Sequence, residues 1–250
     1  MQRLAPGIIP PMGVLFDSAF GDSLEDLLTL CLLYSLDKRG ECRVAGLTTS
    51  KHCLDSARLL EVMQKLYGGR PTAIGMSTTG PQQPSGPLLQ AALAGQSFSI
   101  QREIDTAEPH NLLRNLLEGY HDGNAVIIST GPPANLNELL RLPKALPVVK
   151  AKVKTLYLAG PHATQPPDWP GPVQWIRDAD AAALTYQPQP ADFEWNPLHP
   201  VKLALEAQPA ASWSRAGLFA ALRAVRREKA DPAGTGIKEL MATPPSRMRP

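Results

Sequence analysis

At 250 residues, 43% hydrophobic and 19% charged, the chain is long enough to fold as one large α/β domain with a real core. A formal net charge of +2, with no dense basic stripe ahead of the tail, argues against nucleic acid as a partner. No apolar run approaches the ~20 residues of a membrane span. Pro6, Pro10 and Pro11 interrupt any signal-peptide core. Three cysteines (Cys31, Cys42, Cys53), with no CxxC pair and one left over, fit reduced thiols in the cytoplasm.

Strands and helices alternate along the chain. Residues 13–16 read as a first strand and 23–36 as a helix, with Ser23 as N-cap and Asp26 at capping-box spacing. Residues 43–49 form a second strand, 53–67 a helix ended by Gly68 and Gly69, and 72–76 a short third strand. A Gly/Pro/Gln-rich connection over 81–97 holds a short helix at 88–94. A helix at 111–120, a buried strand at 124–129, a helix at 135–142 and a strand at 153–159 follow, and 178–185, 200–207 and 217–227 read as helices. Proline clusters at 81–87, 161–172 and 188–200 mark loops. This alternation predicts a single α/β domain over 1–228, its central sheet mainly parallel and flanked by helices. The apolar runs 14–16, 44–47, 125–128 and 155–158 should be adjacent inner strands. Residues 229–250, rich in Lys, Pro, Gly and Thr, are expected to be a mobile tail.

The segment between the first strand and helix carries the functional signal: Asp17, Asp22, Glu25 and Asp26 within ten residues, beside Ser18, Gly21 and Ser23. Carboxylates at the end of a first parallel strand stand where open α/β sheets bind ligands. The pattern resembles the opening motif of the inosine–uridine-preferring nucleoside hydrolases, whose bacterial branch reads Asp-Thr-Asp-x-Gly-Asn-Asp-x-Asp-Asp before an apolar helix. Asp17, Gly21, Asp22, Ser23, Glu25 and Asp26 align with it without a gap. Residues 44–50 (Val-Ala-Gly-Leu-Thr-Thr-Ser) resemble that family's second strand. Residues 125–136 resemble its strand-Thr-Gly-Pro-x-x-Asn-Leu motif, and Ser212-Trp213-Ser214 falls where the bacterial branch has Ser-Trp-Asp.

The resemblance implies a nucleoside hydrolase-like α/β fold and hydrolysis of the N-glycosidic bond of a nucleoside or related N-riboside. A bound Ca²⁺ would hold the ribose hydroxyls and the attacking water, and a carboxylate would take the water proton. Carried over residue by residue, Asp26 and the Thr130 carbonyl are metal ligands. Ala19 stands where a ligand Asp that is also the base is expected, and Ser214 where the last ligand Asp is expected. Ligand charge sets affinity for Ca²⁺, so the metal site should be weakened or lost. Asp17 or Asp22 is then the candidate catalytic base, and Glu25, His52, Asn135 and Gln174 are candidates for holding substrate. Members of that family are often dimers or tetramers, which leaves a homo-oligomer open.

Plainer roles stand beside these. Asp26 suits a first-turn carboxylate favouring a helix dipole, Asp17 an acceptor of loop N–H groups, and Thr130-Gly131 a strand-to-helix turn. Asn135 suits the N-cap of a helix starting at Leu136. His52, His162 and His199 suit loop histidines, Cys53 a packed thiol, and Trp213 a core or subunit-interface aromatic. Three functions fit: a working N-riboside hydrolase, a binding protein or pseudoenzyme on the same fold, and an unrelated doubly wound domain. The last is disfavoured by the lack of a Gly-rich phosphate cradle.

Overall fold

The computed structural model describes residues 11–67, 71–182, 184–207, 214–226 and 236–242. Six strands, β1 (Gly13–Ser18), β2 (Arg43–Thr49), β3 (Ile74–Met76), β4 (Ala125–Ser129), β5 (Val153–Ala159) and β6 (Val173–Ile176), form one sheet in the order β3-β2-β1-β4-β5-β6. Every pairing is parallel. The four apolar runs expected to be adjacent inner strands are β2, β1, β4 and β5, as their burial on both faces requires.

Alternate side chains feed two cores. Val14, Phe16, Ile128 and Tyr157 face one side, where α1 (Leu24–Lys38), α2 (Leu54–Tyr67), α3 (Pro87–Leu93), α7 (Pro200–Ala207) and α8 (Ala216–Arg226) contribute apolar residues. Leu15, Ile127, Leu156 and Leu158 face the other, against α4 (Pro109–Glu118), α5 (Ala134–Arg141) and α6 (Ala145–Lys152). Helix α1 is buried continuously from Leu24 to Leu36. A helix apolar all round must be enclosed, and α1 lies against β2, α2, α7, α8 and α9 (Ile237–Ala242). Each fully buried Leu there contributes about 1.5–3 kcal/mol by removal from water. Its amino end is fixed as expected, with Ser23 Oγ accepting the Asp26 N–H at 3.3 Å.

Three elements differ from the sequence expectation. Residues 178–182 form turns and 184–185 no regular structure, where a helix was expected. The Arg177 N–H donates to Asp180 Oδ2 at 2.8 Å, a capping-type bond that here closes a turn without a following helix. Helix α6 and strand β6 were not expected. Pro147 lies in the first turn of α6, where no intrahelical N–H is needed. Strand β6 is four residues long, preceded by Pro172, with Trp175 48% exposed, so it lacks the apolar run of an inner strand. Of the tail expected to be mobile, residues 237–242 form α9, with Ile237, Leu240 and Met241 buried. Gly68, Gly69 and Trp213 lie outside the described residues. All three cysteines are free and buried, which agrees with a packed Cys53. Among the described residues no helix is long and apolar enough to cross a membrane.

Candidate functional site

The strand order reverses between β1 and β4, since β2 and β3 lie on one side of β1 and β4 to β6 on the other. At such a switch point the loops leaving the two strands diverge and open a crevice at their carboxyl ends. Asp17, Ser18 and Ala19 leave β1 there, and Thr130 and Gly131 leave β4. The two loops touch closely: a Cβ on Gly131 would fall 2.5 Å from the Ala19 nitrogen and 2.8 Å from the Ser18 carbonyl carbon. Only glycine permits that approach.

Asp17 is fully buried and closed in by donors. It pairs in register with Thr48 of β2 and Ser129 of β4. Thr48 Oγ1 donates to Asp17 Oδ1 at 2.7 Å, Ser129 Oγ lies 3.5 Å from Oδ2, and Asn135 Nδ2 donates to Oδ1 at 2.7 Å. Burial pushes the Asp17 carboxyl up to about 6, against the pull of these three donors. A carboxylate so enclosed braces the crevice from below. Asn135 is not the N-cap it was read as. Helix α5 begins at Ala134 with Pro133 as its cap, and the Asn135 amide turns inward to Asp17.

A second group continues from it. The Thr130 N–H donates to the Asp17 carbonyl at 3.0 Å, and Thr130 Oγ1 donates to Asp26 Oδ1 at 2.6 Å. Burial pushes the Asp26 carboxyl up to about 7, and the neighbouring Glu25 and Asp22 charges push the same way. Glu25 accepts the Gly217 N–H and lies 3.1 Å from Ser214 Oγ. Gly217 is required here, because a Cβ would fall 2.6 Å from Thr29 Oγ1 and 2.9 Å from Glu25 Oε1. Burial raises the Glu25 carboxyl as well. Ser214 Oγ also donates to Asp178 Oδ1, at 2.6 Å. Asp22, half exposed, forms an ion pair with the buried Lys51.

Thus Asp17, Asn135, Thr130, Asp26, Glu25 and Ser214 are connected through hydrogen bonds and sequence neighbours, with Asp22 on the same loop. His52 and Gln174 are not part of this group. The His52 ring nitrogens lie 2.9 Å from the Gly80 carbonyl and 2.8 Å from Glu103 Oε1. The Gly80 carbonyl and the Glu103 carboxylate raise its pKa. Gln174 is on β6, three strands from β1, beside Lys154 and Arg223 in a cavity of about 290 Å³. His162 bears on Glu25 only through its charge, and His199 is in the core.

Sequence reasoning missed Thr48, Ser129, Lys51 and Asp178. Thr48 and Ser129 had a readable signal, a hydroxyl at the carboxyl end of an apolar strand flanking an Asp at the same level. Lys51 and Asp178 had none, because their partners are 29 and 36 residues away. Next to Asn135 a polar groove of about 310 Å³ opens between Thr78, His110, Asn137 and Arg141, large enough for part of a small ligand.

The donor set can be set against the Ca²⁺ cage that the resemblance implies. Ala19 offers no side-chain oxygen. The Ser214 hydroxyl is held between two carboxylates, Asp26 is bonded to the Thr130 hydroxyl, and Asp22 to Lys51. Among the described residues no three His, Cys, Asp or Glu side chains are grouped to hold a metal ion. These residues do not fit a calcium site.

No protein-family model matches the chain. No curated protein matches it in sequence. Solved structures do match in shape. The inosine-uridine preferring nucleoside hydrolase from Bacillus anthracis is 13% identical with a TM-score of 0.62, covering 87% of this chain and 82% of its own. This is the nucleoside hydrolase fold. A purine-preferring ribonucleoside hydrolase from Gardnerella vaginalis shares the fold at 14% identity and a TM-score of 0.60, covering 85% of this chain and 79% of its own. The type III effector protein XopQ, solved in complex with adenosine diphosphate ribose, shares it at 14% identity and a TM-score of 0.54, over 86% of this chain and 70% of its own.

Proposed function

We propose that this chain binds an N-riboside, a nucleoside or related ribosyl compound, at the switch-point crevice, and cleaves its N-glycosidic bond slowly. One observation carries this reading: three carboxylates, Asp22, Glu25 and Asp26, stand beside the braced Asp17 at the carboxyl ends of β1 and β4, on a nucleoside hydrolase fold. Carboxylates suit a ribose in two ways. They accept hydrogen bonds from its hydroxyls, and their charge favours the oxocarbenium-like centre that forms as the C1′–N bond breaks. In the hydrolysis, the bonding pair leaves with the base and a water oxygen adds at C1′. The water proton passes to a carboxylate, and Asp22, half exposed, is the one that solvent reaches. Glu25, Asn135 and the groove beside Asn135 are assigned to positioning the ribosyl group. XopQ, which shares the fold, was solved with a ribosyl diphosphate compound, which supports this ligand class.

Ala19 and the doubly held Ser214 favour a second reading, a pseudoenzyme that keeps the ribosyl site and lacks the chemistry. Missing a positioned base forfeits typically ~10²–10⁴ in rate. The experiment measures hydrolysis of inosine and uridine, and calorimetric binding of inosine and ADP-ribose, with the unmodified chain and with Ala19→Asp/Ser214→Asp. Binding with slow turnover supports the hydrolase reading, binding with no turnover the pseudoenzyme, and no binding of any riboside removes both. Brisk turnover by the unmodified chain would show that Asp22 or Glu25 has taken over the missing roles.

A further inference from the structure

Lys51 lies two residues beyond β2 and meets Asp22 at the crevice. Its placement is fixed by backbone: the Ser50 N–H donates to the Ser18 carbonyl at 2.9 Å, tying the end of β2 to the end of β1. The Lys51 N–H donates to Thr49 Oγ1 at 3.2 Å. The side chain is 6% exposed, yet its carboxylate partner, Asp22, is 51% exposed. The usual surface ion pair has a mobile Lys reaching a fixed acid. Here the ammonium is the buried member and the acid lies outside it. Burying an ammonium carries a penalty of several kcal/mol unless other charges offset it. Neighbouring carboxylates can do so. Asp22 touches Lys51, the Asp22 and Glu25 charges both act on Asp26, and Asp22 lies in the segment joining β1 to α1 while Glu25 and Asp26 lie in the first turn of α1. The cage expected for a divalent ion is dismantled at the same place, at Ala19 and Ser214.

We infer that Lys51 is the built-in cation of this crevice: its ammonium, in place of a divalent metal, balances the Asp22 carboxylate beside Glu25 and Asp26 and holds the segment joining β1 to α1 in position. The inference rests on reading the crevice as the ribosyl site, but its test needs no ligand. Failure of riboside binding and failure of the Lys51 role are therefore separate results.

The test is thermal unfolding of the full chain in excess chelator and in millimolar calcium chloride at matched ionic strength. It compares the unmodified chain with Lys51→Met and Lys51→Arg. The unmodified chain should melt at the same temperature in both solutions. Lys51→Met should melt several degrees lower in chelator and recover part of the loss in calcium, because the carboxylates then lack their counter-charge; a 250-residue domain shifts by roughly 2–4 °C per kcal/mol. Lys51→Arg keeps the charge and should stay insensitive to calcium. A rise of several degrees in calcium for the unmodified chain, or a Lys51→Met chain that melts with the unmodified one, overturns the inference. Should Lys51→Met fail to fold, calorimetric titration of the unmodified chain with calcium decides alone: no binding heat supports the built-in cation, and saturable binding overturns it.

Discussion

The Asp17 carboxylate receives its largest stabilisation from one side chain, the amide of Asn135. Asn135→Ala removes that donor and leaves a buried carboxylate with two hydroxyl partners. The expected loss is about 1–3 kcal/mol, read as a lower urea midpoint. Asn135→Asp should lose more, since it sets a second carboxylate against the first. Equal midpoints for all three chains would show that Thr48 and Ser129 suffice. This residue also marks a limit of reading side chains from sequence. Asn before an apolar helix is a good N-cap, and nothing within ten residues of Asn135 betrays that its partner is Asp17, 118 positions earlier. The carboxylate loop was legible, because strand, acidic run and apolar helix are contiguous. Of its donors, Thr48 and Ser129 left a signal at their strand ends, but Asn135 did not, because it arrives from α5 in a position that suits a cap.

At the scale of elements, helix α2 does more than cover the sheet. Arg58 and Glu61 share one of its faces at i, i+3 and dock the irregular segment after α3. Arg58 Nε donates to the Ile100 carbonyl at 3.0 Å and its guanidinium lies over the Phe98 ring. The Glu61 carboxylate accepts the Ser99 N–H at 2.9 Å and the Ile100 N–H at 3.0 Å, so backbone groups without a strand partner are satisfied by side chains. Burial alone would raise the Glu61 carboxyl, but the bonds from Lys65, Ser99 and Ile100 outweigh it and hold it down to about 2. A depressed carboxyl contributes stability that is present above its unfolded value near 4.5 and is lost as pH falls through about 2. Glu61→Gln, which keeps a carbonyl for the two N–H donors but turns its N–H₂ toward the Lys65 ammonium, should cost about 1–3 kcal/mol at pH 7. The deficit should shrink between pH 4 and 2, followed by urea unfolding across that range. The elements themselves were legible wherever apolar periodicity was strong, as in α1, β2 and β5. They were missed where proline or exposure masked it, in α6 and β6. Residues 178–185 failed for the reverse reason, a helical composition overruled by short polar side chains closing turns.

At the scale of the molecule, one histidine couples core packing to pH. His199, read from sequence as a loop residue, is fully buried at the amino end of α7 among Tyr67, Phe193 and Trp195. Its Nδ1 accepts the Val201 N–H at 3.2 Å, so the proton of the neutral ring sits on Nε2 and points to Tyr67 Oη at 3.1 Å. A second proton on Nδ1 would face the Val201 N–H and place a charge among four aromatic or apolar neighbours. Burial accordingly drives the ring down to about 3 from its usual 6.5. The sign follows from proton uptake. Between these two values the unfolded chain binds a proton that the folded chain refuses, so the stability is whole above 6.5 and declines as pH falls toward 3. From pH 7 to pH 5 the loss from this ring alone is about 2 kcal/mol, a large share of a typical folding free energy of 5–15 kcal/mol. Urea unfolding at the two pH values should show it. His199→Gln keeps a neutral polar group beside Tyr67, so it should be less stable at pH 7 through imperfect packing, yet should lose about 2 kcal/mol less than the unmodified chain on going to pH 5. A pH dependence unchanged by that substitution would place the acid sensitivity of the fold in its carboxylates instead of in this core histidine.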